Sequence, residues 1–103
     1  MALEHCVFFR RADGVNDAQV ADVMAMLAEI SDRIDGASDV PSSKNVSPEC
    51  LHKDYLDGFI IRFANEAVRD AYLVDEEHRQ AGGRLVSLCR EGRDGLVVFD
   101  LEM

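Results

Sequence analysis

Leu3 to Phe9 alternate with apolar side chains on both sides, Leu3, His5, Val7 and Phe9 on one and Cys6 and Phe8 on the other. That predicts a strand with two faces to cover. After the turn residues Asp13 and Gly14, the apolar spacing changes from two to three and four. Val20, Val23, Met24, Leu27, Ile30 and Ile34 form a helical stripe, Asn16 and Gln19 have the form of a capping box, and Gly36 closes the segment. A polar stretch over 37–53, with Pro41 and Pro48, predicts a short edge strand over 38–46 and then a loop, because proline lacks the donor that an interior ladder needs. Alternation returns over 55–63. Asn65 and Asp75 then each stand where an N-cap belongs, one ahead of Val68, Ala71 and Tyr72, the other ahead of His78, Leu85, Leu88 and Cys89. Gly92, Asp94 and Gly95 stop that segment, and 96–101 is a last strand, apolar except for Asp100.

Strand, helix, strand, strand, helix, strand is the βαββαβ order of a ferredoxin-like α+β domain with a four-stranded antiparallel sheet. Right-handed crossovers put both helical segments on one face of that sheet. Cys6, Phe8, Ile60, Val97, Phe99 and Leu101 are left on the other. Leaving such side chains in water forgoes roughly 1.5–3 kcal/mol each, a large sum beside the net stability of a small domain. A second copy, sheet against sheet, is the expected cover, giving a homodimeric α+β barrel.

Composition narrows the partners. The 103 residues suit a single domain over 1–103. A formal charge of −9 disfavours nucleic acid and anionic membrane surfaces. Cys6, Cys50 and Cys89 have neither C-x-x-C nor zinc-type spacing, which predicts reduced thiols in a cytoplasmic protein. No apolar run approaches the ~18 residues of a spanning helix, so no membrane partner is expected.

The candidate chemistry lies around Tyr72 and His78. On one straight helix, six residues would turn them about 120° apart, but a bend at Asp75 lets both face one cleft between sheet and helix. In a catalytic reading, His78 abstracts a proton alpha to a carbonyl and Tyr72 donates a hydrogen bond to the developing oxyanion. In a structural reading, His78 is a cap and Tyr72 fills core volume with its hydroxyl at the surface. Ligand binding without turnover is a third. The residues by themselves leave all three open. His5 and Asp57 are candidate ligand-binding residues. Asp57 shares a line with Phe59, Ile61 and Phe63 and therefore needs solvent or a partner, for which His5 is a reasonable choice. The three histidines give no pair on one helix, so no metal is expected. Gly82-Gly83 lacks the preceding strand and the lysine of a phosphate loop, and no cofactor is expected.

Leu3-Glu4-His5-Cys6-Val7-Phe8-Phe9, the Asn45-Val46-Ser47-Pro48-Glu49 loop, the 55–63 strand, Glu66-Ala67 and the stretch from Tyr72 to His78 together resemble the stress-responsive A/B barrel family. The resemblance covers nearly the whole chain. It implies a ferredoxin-like subunit and a homodimer whose two sheets form one barrel. Its members include plant stress-induced proteins, some forming larger stable assemblies, and a polyketide cyclase that works without metal or cofactor. The cyclase's catalytic histidine and tyrosine correspond to His78 and Tyr72, and a first-strand histidine corresponds to His5. Where the cyclase has another histidine on the third strand, this chain has Asp57. A small apolar carbonyl or phenolic ligand is thereby implied, with a non-catalytic protective or assembly protein as the competing class.

Overall fold

Each helix begins at the side chain suited to cap it. The Asn16 carboxamide accepts from the Gln19 N–H, and Gln19 accepts in return from the Asn16 N–H, both at 2.9 Å, opening α1 (Asp17–Arg33). Asn65 accepts from the Val68 N–H at 3.0 Å to start α2 (Glu66–Val74). Asp75 both ends α2 and starts α3 (Glu76–Leu88), accepting from the His78 N–H at 3.1 Å. Its extended backbone, φ −63° and ψ 130°, is the bend between Tyr72 and His78. The computed structural model describes residues 1–40 and 44–103.

β1 (Leu3–Phe9), β2 (Ala37–Val40), β3 (Asp57–Phe63) and β4 (Leu96–Glu102) form one antiparallel sheet in the order β2-β3-β1-β4. This is the ferredoxin-like α+β arrangement. β1 is a central strand, paired with β3 along one edge and β4 along the other. On the helix side, Leu3, Val7 and Phe9 meet Phe59, Ile61 and Phe63 beneath Val23, Leu27 and Ile30 of α1.

Boundaries differ from the pattern where the backbone turns. β2 ends at Val40, and beyond it Lys44 makes an isolated bridge to Asp57. Pro41, Ser42 and Ser43 of the expected edge strand lie outside the described residues. β3 begins at Asp57 rather than at 55, because Lys53 and Asp54 take left-handed backbone, φ 52° and 67°, and the Tyr55 N–H closes a turn on the His52 carbonyl. α1 stops at Arg33, so Ile34 packs against the core from an extended C-cap.

The opposite face carries the side chains assigned to it. Cys6 stands between Ile60 and Phe99, and Phe8 between Gly58 and Val97. A Cβ on Gly58 would sit 2.7 Å from the Phe8 ring, so the missing side chain lets that ring lie across the strand. Phe8, Phe99 and Leu101 remain 37%, 52% and 55% exposed. Within a single subunit the face is only partly covered.

Candidate functional site

A cavity of about 680 Å³ opens between α3 and the β1 side of the sheet. Val7, Phe59, Leu85, Leu96 and Val98 supply apolar wall, and His5 and His78 supply two imidazoles. The register explains the contribution of β4: Leu96, Val98 and Asp100 pair with Phe9, Val7 and His5, which places them on the helix side. The helices leave Val98 49% exposed there.

Tyr72 is fully buried, and its ring lies 4.1 Å from that of His78, 5.8 Å from that of His5 and 5.1 Å from that of Phe63, centroid to centroid. It stands behind the cavity wall rather than on it. Its hydroxyl is therefore not at the surface, contrary to the structural reading of this residue. The Tyr72 hydroxyl and His78 Nδ1 are both buried, and neither makes a well-formed hydrogen bond among the described residues, the Leu73 carbonyl lying only near enough to act on the imidazole. An unmade hydrogen bond at a buried polar atom costs about 1–3 kcal/mol, so two such atoms side by side need a reason.

The protonation states complement one another. Burial and the neighbouring His5 push the His78 pKa below its ordinary value, while the Leu73 carbonyl and Asp75 pull less strongly the other way. A neutral imidazole can accept a proton near neutral pH. Burial, assisted by Asp39 and Asp75, pushes the Tyr72 phenol far above its ordinary value, so it stays protonated and keeps a hydrogen to donate. One neutral base and one fixed donor are thus in ring contact.

His5 is held from the side of β4. Its Nδ1 lies 2.6 Å from Asp100 Oδ1, and Arg69 donates to Asp100 Oδ2 at 3.0 Å. Burial tends to raise the Asp100 pKa, but the hydrogen bonds from His5 and Arg69 outweigh it and keep the carboxyl below its ordinary value. The expected pairing of His5 with Asp57 is therefore corrected. Asp57 lies opposite Phe9 at the far end of β1, whereas His5 lies opposite Ile61 and Asp100. Asp57 instead receives both arms of Arg11, at 2.9 and 2.8 Å, and Arg11 also reaches Asp17 at 2.8 Å. The structure thus brings His5, Tyr72 and His78 together and leaves Asp57 elsewhere. Sequence reasoning missed Asp100 as a site residue. Its signal was present, because a lone carboxylate in an apolar strand that flanks β1 needs a partner on β1. Among the described residues, no group of three or more histidine, cysteine, aspartate or glutamate side chains is placed to hold a metal ion.

Residues 3–103 match the sequence profile of the Stress responsive A/B Barrel Domain family. The chain belongs to that family. Among solved structures, a dimeric ferredoxin-like protein of unknown function from a Jannaschia species is 32% identical, with a TM-score of 0.93 and 100% of each chain covered. An Arabidopsis thaliana protein is 19% identical, with a TM-score of 0.81 over 98% of this chain and 94% of its own. The hydroxynitrile lyase of Passiflora edulis is 12% identical, with a TM-score of 0.84 over 99% of this chain and 93% of its own. These last two share the fold. Among curated proteins, none matches this chain. No helix among the described residues is long and apolar enough to cross a membrane.

Proposed function

We propose that this A/B barrel protein is a cytoplasmic homodimer that binds a small apolar carbonyl or phenolic compound in the α3 cavity and transfers a proton on it without a cofactor. The observation that carries this reading is the ring contact of His78 and Tyr72, whose buried Nδ1 and hydroxyl make no well-formed hydrogen bond among the described residues, beside a cavity large enough for a ligand of about a dozen or more heavy atoms. His78 takes the proton alpha to the carbonyl. The carbonyl oxygen, pushed to the base of the cavity between the two imidazoles, receives the Tyr72 hydrogen bond as negative charge develops on it. His5, fixed by Asp100, orients the ligand. The lyase of the same fold acts, by its name, on hydroxynitriles.

The test is deuterium incorporation at the alpha carbon of an aryl alkyl ketone in heavy water, followed by proton NMR. Wild-type protein accelerates exchange, His78→Ala abolishes the acceleration, and Tyr72→Phe lowers it about a hundredfold, the usual effect of removing one oxyanion donor. Ketone that stabilises wild type and His78→Ala equally in thermal unfolding, with no exchange in either, would leave a binding protein and remove the enzyme.

The partner in the dimer is a second copy across the outer sheet face. Phe8, Phe99 and Leu101 supply the apolar surface, and relatives of the same fold are described as dimeric. Phe99→Glu is expected to shift the mass measured by light scattering at micromolar concentration toward that of one subunit. A wild type that already runs as a single subunit would sink the barrel.

A further inference from the structure

The charges around the cavity run against those of the protein as a whole. Two arginines, Arg79 and Arg93, line it against one glutamate, Glu76, in a chain of formal charge −9. Four other arginines are held by carboxylates, Arg11 by Asp57, Arg33 by Asp75, Arg62 by Glu4 and Arg69 by Asp100, while Arg10, Arg84 and Arg90, outside the lining of this cavity, make no ion pair among the described residues. The two at the cavity are not held in this way. Arg79 approaches Glu76 only at 3.9 Å, with both side chains about 70% exposed, and Arg93 has no ion-pair partner among the described residues. In a net acidic protein the Arg93 guanidinium thus stands without an ion pair among the described residues at a cavity whose walls are largely apolar. Its planar donor pair matches a carboxylate.

We propose that the ligand of this cavity is an organic monoacid, an apolar body bearing one carboxylate, which the lining arginines Arg93 and Arg79 receive. The inference rests on the proposed cavity reading and names its ligand class. Among the arginine and glutamate side chains that line the cavity, Arg79 and Arg93 against Glu76 leave one positive charge for one carboxylate to balance. The apolar walls take the body and turn its far end toward His78. A neutral ligand would leave this free cation unused, and a dianion would exceed the available charge.

Calorimetric titration with para-hexylbenzoate and para-hexylbenzamide at neutral pH separates the possibilities, since the pair differ only in charge at one end. Wild type is expected to bind the acid about tenfold or more tightly than the amide, in keeping with a charge-assisted contact. The Arg79→Gln/Arg93→Gln variant loses that preference while keeping its affinity for the amide, and Arg93→Lys retains part of it. Equal binding of acid and amide to wild type overturns the anionic assignment and leaves the cavity standing. Binding of neither overturns both. An acid preference unchanged in the double glutamine variant overturns the role of the two arginines.

Discussion

The two ends of β1 treat buried charge and polarity in opposite ways. At the Phe9 end, Asp57 is gripped by both arms of Arg11, which also reaches Asp17, and Asp17 takes Lys44 at 3.0 Å. At the His5 end, the Tyr72 hydroxyl and His78 Nδ1 lie buried with no well-formed hydrogen bond among the described residues, and two glycines in mid-helix face open space. The first end ties three elements together with its charges neutralised. The second leaves stabilisation unclaimed, and an arrangement of that kind suits groups reserved for something that arrives later.

Breaking the satisfied end has the largest expected effect. Arg11→Ala leaves Asp57 largely buried without its counter-charge and is expected to cost about 3 kcal/mol in chemical denaturation. A loss under about 1 kcal/mol would mean that water already serves that carboxylate and would erase the contrast. At the other end, Gly82 and Gly83 line the cavity, and a Cβ on either would meet nothing within 4 Å. Gly82→Ala/Gly83→Ala should therefore stabilise the free protein by about 1–2 kcal/mol, since glycine inside a helix costs up to about 1 kcal/mol against alanine. The same variant narrows the cavity, and it should weaken ligand binding as thermal stability rises. Destabilisation would show that α3 needs those glycines for its own packing.

Smaller changes sharpen the same contrast. Tyr72→Phe removes a hydroxyl with no hydrogen-bond partner among the described residues, so unfolding free energy should stay level or rise by less than about 1 kcal/mol. A clear loss of stability would expose a hidden partner. The smallest effect concerns pH. Because the folded pKa of His78 lies below its ordinary 6.5, the unfolded chain takes up that proton first as pH falls. The contribution is fully present above 6.5 and is lost as pH drops from there through the folded value. His78→Gln should remove that slope from a series of denaturation curves, and an unaltered slope would assign the titration to other groups.

Local pattern made much of the architecture legible. Asn16, Asn65 and Asp75 cap helices because a short polar side chain before an apolar stripe satisfies the first free N–H groups wherever the helix later packs. Alternation placed Cys6, Phe8 and Phe99 on the outer face, as the register shows. The bend at Asp75 brought Tyr72 and His78 into one site, again from local spacing. The partners of His5 and Asp57 were not legible. Alternation says which face a strand residue takes but not how far one strand slides along the next, and His5 could be matched with Asp57 only by ignoring the four-residue offset between it and Phe9.

The order of elements, the caps, the two-sided apolarity of β1 and the family were thus determined by the amino acids themselves, because each depends on neighbours within a few positions or on a repeating period. The tertiary structure decided the rest: that Asp100 holds His5, that Arg11 takes Asp57, that Tyr72 lies fully buried behind His78, and that a cavity with a free Arg93 opens above β4. Those contacts join residues tens of positions apart. Strand register and helix docking fix them, and both are set by the packing of the whole core.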